Sequence, residues 1–288
     1  MGLFRPSFTA ENKRGYTAGE RPQNRRELVR LILADHFTDL IPCNLVLLAV
    51  FLPFLFWVFT GLFYIAGAMG GDGSFADLLS LSRTWVLGMI PCLLFTGPFC
   101  TGSALLLRNL ARDDCRFARQ YFLSGLRSAP GAALAVSAAA STMPLLLWAA
   151  LAYYGTQLAG GARLVLIPLL LTAVLCAIWR MTLPTLYMML ATYRLPLGEQ
   201  VKNAFALTLS RLPLVAGVHL LALLPALLGV AAFAVGGKVF IAALFVLCVY
   251  YLFFGFAFSR LLYAFVANKL CEETLNAQIG ADTHIGMR

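Results

Sequence analysis

The sequence predicts an all-α fold: a polytopic membrane helix bundle of six transmembrane helices with interfacial amphipathic helices between them. Three observations predict it. Of the 288 residues, 60% are hydrophobic and 12% charged, where soluble domains run near 45–50% and about 25%. The apolar residues gather into six segments, about 43–67, 84–107, 131–154, 164–193, 212–235 and 239–267, each long enough to cross roughly 30 Å of hydrocarbon at about 1.5 Å per residue. The basic residues, finally, fall on one side of the resulting map.

Residues 1–24 form a polar tail on the cytoplasmic side. No cleaved leader is expected, because the first long apolar run starts only near Cys43 and is too long for a signal-peptide core. From Arg26 to Ile41 the apolar residues Val29, Leu33, Phe37, Leu40 and Ile41 share a loose helical face, and Pro42 marks a bend before the first span. Gly70 to Ser74 read as an external turn. The second span, 84–107, contains Gly97-Pro98 and is expected to kink there.

Between the second and third spans, Phe117, Tyr121, Phe122 and Leu126 lie on one face of a helix, with Arg116, Arg119, Gln120 and Arg127 largely on the other. Asp113 and Asp114 suit its N-terminus. Pro130 then opens the third span, whose small residues Gly131 to Ala140 fit a position inside the bundle. Gly160-Gly161 turns the chain into the fourth span, marked by Pro184. Val201, Phe205, Leu209 and Leu212 repeat the amphipathic pattern against Lys202, Asn203 and Arg211, and Pro213 follows. Gly236-Gly237 makes a tight hairpin between the fifth and sixth spans, and residues 268–288 form a second cytoplasmic tail. Pairing Arg119 with Lys202, Phe122 with Phe205 and Pro98 with Pro184 suggests three parallel units of one amphipathic helix and two spans; convergent basic connectors account for the same pattern.

On this map the tail, the two inner connections and the C-terminal segment (Arg260, Lys269, Arg288) hold 18 basic residues, and the outer side holds Arg83, Arg163 and Lys238. That asymmetry places both termini in the cytoplasm. It also accounts for the net charge of +9 without nucleic acid. The partner it implies is the lipid bilayer: each amphipathic segment can lay its apolar face in the acyl boundary and its basic face on anionic headgroups. Arg112, Arg116, Arg119, Arg127, Lys202 and Arg211 are therefore candidates for a cytoplasmic interaction face.

Inside the spans the ionisable residues are few. Arg180, in the fourth span, is either an anion or substrate contact or a structural arginine whose chain reaches toward the interface. His219, toward the inner end of the fifth, fits a packing role better than a relay. No Asp or Glu falls in any predicted span, which counts against a proton-coupled carrier. The seven cysteines form no CxxC pair, so no zinc site or disulfide framework is indicated. No metalloprotease, nucleophile-elbow, phosphate-loop or dinucleotide motif is present. Neither an enzyme nor a cofactor is expected.

Two stretches carry a family pattern. One runs Gly97-Pro98 through Thr101-Gly102, Leu106-Leu107-Arg108, Arg112-Asp113, Phe117, Phe122 and Pro130. The other runs Pro184, Leu186-Tyr187, Leu190-Ala191, Leu197 and Val201 to Phe205. With the opening Met1-Gly2-Leu3-Phe4, they resemble the YesL-like family of bacterial integral membrane proteins, a domain family of unknown function, over roughly residues 25–265. The polar tail departs from the glycine-proline-rich start of many members. The resemblance implies a bacterial cytoplasmic membrane and a link to carbohydrate uptake, and it brings no catalytic residues. Two functions stay open: an accessory or regulatory component that contacts transporter subunits, and a small-solute transporter or channel.

Overall fold

Proline and glycine decide where the long apolar runs break. A computed structural model describes residues 25–35, 37–69, 75–112 and 118–276. The elements are α1 (Arg25–Asp35), α2 (Phe37–Met69), α3 (Phe75–Leu94), α4 (Thr96–Leu110), α5 (Ala118–Ser128), α6 (Pro130–Ala159), α7 (Leu166–Thr192, after a single 3-10 turn at Arg163–Val165), α8 (Leu197–Ser210), α9 (Leu212–Val235), α10 (Gly237–Tyr250) and α11 (Phe256–Cys271). Wider π turns occupy Tyr251–Gly255 and Glu272–Asn276. No strand occurs among the described residues. Six helical stretches are long and apolar enough to cross a membrane: Phe37–Ile65, Asp77–Leu94, Pro130–Ala159, Arg163–Thr192, Leu212–Ala232 and Lys238–Leu275. The fold is an all-α bundle.

The second span differs from the expected 84–107. It begins at Phe75 and stops at Leu94, and α4 sets off afresh after Phe95. Pro98 has no N–H to offer the Leu94 carbonyl, and the Ser137 hydroxyl of α6 donates to that carbonyl instead. Thr96 Oγ1 likewise donates to Leu93 O at 2.7 Å. The break is thus stabilised by polar groups on both sides. The last span also outruns its expected end at 267. Helix continues to Asn276, and Asn268, Leu270, Cys271 and Glu272 are buried, so the second tail does not begin at 268.

The same succession occurs three times: a short helix (α1, α5, α8), an outgoing long helix (α2, α6, α9), and a returning helix that runs on as α4, the second half of α7, or α11. Pro130 and Pro213 lie in the first turns of α6 and α9, where proline fits. Pro42 lies within α2, and in that unit the junction falls between Asp35 and Phe37 instead. Gly236, at φ 143° and ψ 162°, adopts backbone open only to glycine, which permits the one-residue link from α9 to α10.

The three returning helices pack parallel. Arg260 meets Cys100 and Asn268 meets Arg108, both across 160 residues, and Glu272 meets Arg112 in the same register. Tyr187 lies by Cys100 and Arg260, and Tyr193 by Arg108 and Cys271, which sets α7 in step. Around them, Leu28 and Ile32 of α1 join the core of α4 and α11, Phe122 of α5 packs on α4, and Ala204 and Leu207 of α8 pack with α7 and the end of α11. These elements form a basal layer, where most buried residues lie. The other ends of the long helices form a distal layer that exposes Phe56, Phe63, Ile167, Leu175, Leu228 and Phe245. An apolar surface of that extent suits hydrocarbon rather than water.

One polar residue ties the layers together. Asn44 of α2 is fully buried. Its Nδ2 donates to Tyr251 O (2.9 Å) and Leu252 O (2.8 Å), and its Oδ1 accepts from the N–H groups of Phe256 (2.9 Å) and Ala257 (3.0 Å). The amide is inserted into the π turn between α10 and α11, meeting the backbone groups that the turn leaves over.

Candidate functional site

Among the described residues, most of the charge lies in the basal layer. Arg112, named from the sequence as part of an open face, is buried there and pairs at 3.3 Å with Glu272, itself 1% exposed. A buried guanidinium needs such a partner, so Arg112 is removed from the interaction face. Arg211 is exposed and pairs with Glu273 at 3.8 Å, as does Lys269. Lys202 is exposed on α8. Arg116, Asp113 and Asp114 lie outside the described residues.

Arg119 and Arg127 come together with a residue that the sequence reading did not single out. A groove of about 1230 Å³ opens between α5 and the corner where α7 turns into α8. Arg119, Arg127 and Arg194 line it, with Gln120, Ser124 and Thr192, and among the described residues no Asp or Glu does. All three arginines are exposed and, among the described residues, none is ion-paired. The corner is held by Gln200 on α8, whose Nε2 donates to Tyr193 O (3.1 Å) and Leu195 O (2.8 Å). Ser128 Oγ donates to Gly125 O at 2.8 Å and closes the end of α5.

Further cations stand behind the groove wall. The Tyr193 hydroxyl donates to the Cys271 sulfur; burial and the neighbouring thiol hold it up at about 12, against the pull of Arg108 and Arg112. Arg108 is pushed down to about 10 by burial and by Arg112. Two guanidinium groups, Arg108 and Arg112, thus act on one buried carboxylate, Glu272, which leaves a net positive charge behind the groove wall. No metal-ligating group of three His, Cys, Asp or Glu residues occurs among the described residues.

Arg180 and Arg260 form a second cationic region. Arg180 is exposed on α7, about 26 Å along the helix axis from Arg163. That depth approaches the far edge of a hydrocarbon layer that starts at the distal turn. It lies near enough to Tyr187, His219 and Tyr263 for its charge to act on all three. His219 is 7% exposed, stacks on Tyr263 at 4.4 Å, and its Nδ1 bonds to Val215 O at 2.9 Å. These contacts make it a packed residue.

Arg260 is the larger correction. The sequence count set it on the cytoplasmic C-terminal segment, yet it stands among the three returning helices. There it donates to Ser103 Oγ and Cys100 Sγ at 3.1 Å each, with Phe51 beneath the guanidinium at 5.5 Å. It was legible in part, because it falls inside the expected span 239–267. Among the described residues neither Arg180 nor Arg260 has a carboxylate partner. A smaller, mainly apolar cavity of about 380 Å³ lies at the distal end between α3 and α6.

Comparison with protein-family models, with curated proteins and with solved structures finds no match to this chain.

Proposed function

We propose that this chain is an accessory or regulatory component of a bacterial uptake system, with the basal layer facing the cytoplasm, and that it works through the groove between α5 and the α7–α8 corner. The observation that carries this reading is the groove itself: three arginines around one concave surface, with no acidic residue among the described residues of its lining. The orientation is supported by the basic residues of the basal layer against Arg83, Arg163 and Lys238 toward the distal side. The link to carbohydrate import rests on the YesL-like resemblance of residues 97–130 and 184–205. The absence of an enzymatic role remains part of the proposal, supported by the lack of a catalytic motif.

Purification of the tagged chain from native membranes tests it. Transporter subunits should accompany the wild type and be lost with Arg119→Glu/Arg127→Glu, and deletion of the gene should slow sugar uptake. Recovery of the chain alone together with unchanged uptake would overturn the proposal. The second reading, a small-solute transporter or channel, is favoured by the exposure of Arg180 beside His219 and Tyr263. It requires solute flux in liposomes holding the purified chain, reduced by Arg180→Ala. The groove and the distal cavity do not favour it, since the linings of the two lie in separate layers.

A further inference from the structure

The groove's chemistry narrows what it takes. We infer that Arg119, Arg127 and Arg194 form a receptor for a phosphate ester, carried either by an anionic lipid headgroup or by a free phosphorylated solute. This rests on the groove being the working surface proposed above and names its ligand class.

Three features argue for phosphate. Guanidinium groups match phosphate oxygens with paired donors. Here three of them line one groove from two elements far apart in sequence, Arg119 and Arg127 on α5 and Arg194 after α7, with Ser124 and Gln120 in the same lining. Arg119 and Arg127 stand eight residues apart on one helix, so they lie within about 80° of each other around it and about 12 Å apart along it, and both line the groove. The groove also sits at a fixed height. Its lining includes Ala129, next to the first residue of α6, and Leu190 to Thr192, the last residues of α7. It therefore opens where two membrane-spanning helices end, the level at which headgroup phosphates lie. The exposed basic residues Lys202 and Arg211 lie outside its lining, so the described cations form one compact set rather than the extended track that would favour an acidic peptide.

The test uses the full chain purified in a neutral detergent. In one arm, retention of phosphatidylglycerol is compared with that of phosphatidylcholine by native mass spectrometry. In the other, thermal stability is followed while inorganic phosphate and glycerol 3-phosphate are titrated in the absence of lipid. A preference for phosphatidylglycerol with no response to free phosphate identifies the headgroup as the source; saturable stabilisation by the free esters identifies the solute. In either case each arginine-to-glutamine change should weaken binding about fivefold, and the triple variant Arg119→Gln/Arg127→Gln/Arg194→Gln about 100-fold. A control of equal charge change, Arg30→Gln/Lys202→Gln/Arg211→Gln, should stay within about twofold. If the triple variant does not fold, Arg127→Gln and Arg194→Gln singly carry the same test.

Equal binding by the triple variant and the wild type overturns the inference. So does an absence of response in both arms, or saturable binding of poly-glutamate without response to either phosphate probe. Because the chain is assayed alone, the result is separable from the uptake and co-purification experiments.

Discussion

Replacing Asn44 by leucine removes a side chain of similar size and four hydrogen bonds at once. All four go to main-chain groups of the π turn and of the start of α11, so the variant leaves two carbonyls and two N–H groups short of partners. At a net value of about 0.5–1.5 kcal/mol per bond, the loss lies between about 2 and 6 kcal/mol. The lower end applies if the turn closes into ordinary α-helix, because Phe256 N–H then finds Leu252 O. Closure would turn α11 against α10 by about 100°, however, and α11 cannot turn freely. Ala257, Leu261 and Ala264 are buried in one core cluster, and Asn268 and Glu272 are bonded to α4. The expected cost is therefore about 3–4 kcal/mol. Equilibrium unfolding in mixed micelles would measure it, with Thr60→Val as a control at an exposed i−4 hydroxyl bond. Hydrogen exchange at Phe256 and Ala257 offers a local readout, since about 3 kcal/mol corresponds to a 100-fold or greater loss of protection. If Asn44→Leu lay within about 0.5 kcal/mol of wild type and exchange at those two amides were unchanged, the Asn44 amide would contribute nothing to holding the π turn.

Glu272→Gln strands the buried Arg112 charge and should cost about 3–5 kcal/mol, whereas Arg112→Met/Glu272→Leu should recover most of it; unfolding midpoints of the two variants check this. At Gly125, a Cβ would sit 2.8 Å from Leu105 Cβ and 2.9 Å from the Thr101 carbonyl. Gly125→Leu should therefore force α5 off α4 at about 1–3 kcal/mol, while Gly198→Ala, with open space around it, should change stability by under about 0.5 kcal/mol; thermal unfolding decides. Tyr193 is held up at about 12, so its contribution is fully present below pH 10 and is lost as pH rises through 12. Arg108, lowered to about 10, works in the opposite sense over the same window, so the Tyr193 effect must be read as wild type minus Tyr193→Phe. That difference should shrink by about 1 kcal/mol from pH 9 to pH 11, after discounting for the half-exposed ring, and a flat difference would contradict the burial described here.

The spans were legible because lipid imposes a rule on long stretches, and a long stretch averages out local exceptions. The amphipathic segments were legible as helices for the same reason, and α5 follows the face drawn from Tyr121, Phe122 and Leu126; α8 instead buries Gln200, Ala204, Leu207 and Thr208, leaving Val201 and Phe205 half-buried and Leu209 exposed. The break at Phe95 was half-legible: Gly97-Pro98 announces a disturbance, but only Ser137, arriving from another helix, decides that the carbonyl left over can be satisfied there. Asn44 and Arg260 were hidden for a stronger reason. A single polar residue in or beside an apolar run reads alike whether it faces a bonded core or an interface, and the partners that decide lie 157 to 213 residues away. The groove was hidden likewise, since Arg194 and Arg127 meet only once α7 has returned to α5.

Comparison of the three seams of the basal layer shows why a groove opens at one of them. α1 seals the α4–α11 seam with Leu28 and Ile32, both at most 3% exposed. α8 closes on α7 with Ala204, Leu207 and Thr208, and its end is tied to the end of α11 through Arg211 and Glu273. α5 buries only Phe122 and Gly125, and both are turned toward α4. Its other side, toward α7, presents Gln120, Ser124 and the two arginines. Of the three short helices, the one with least side chain to bury against its second neighbour is also the one whose cations along the gap have no ion-pair partner among the described residues. Loose packing alone would leave an apolar gap open to collapse. A gap lined by exposed cations is instead kept open by their mutual repulsion and hydration, and an anion can relieve both. That combination is what sets the α5 seam apart from the other two and underlies the proposed anion site.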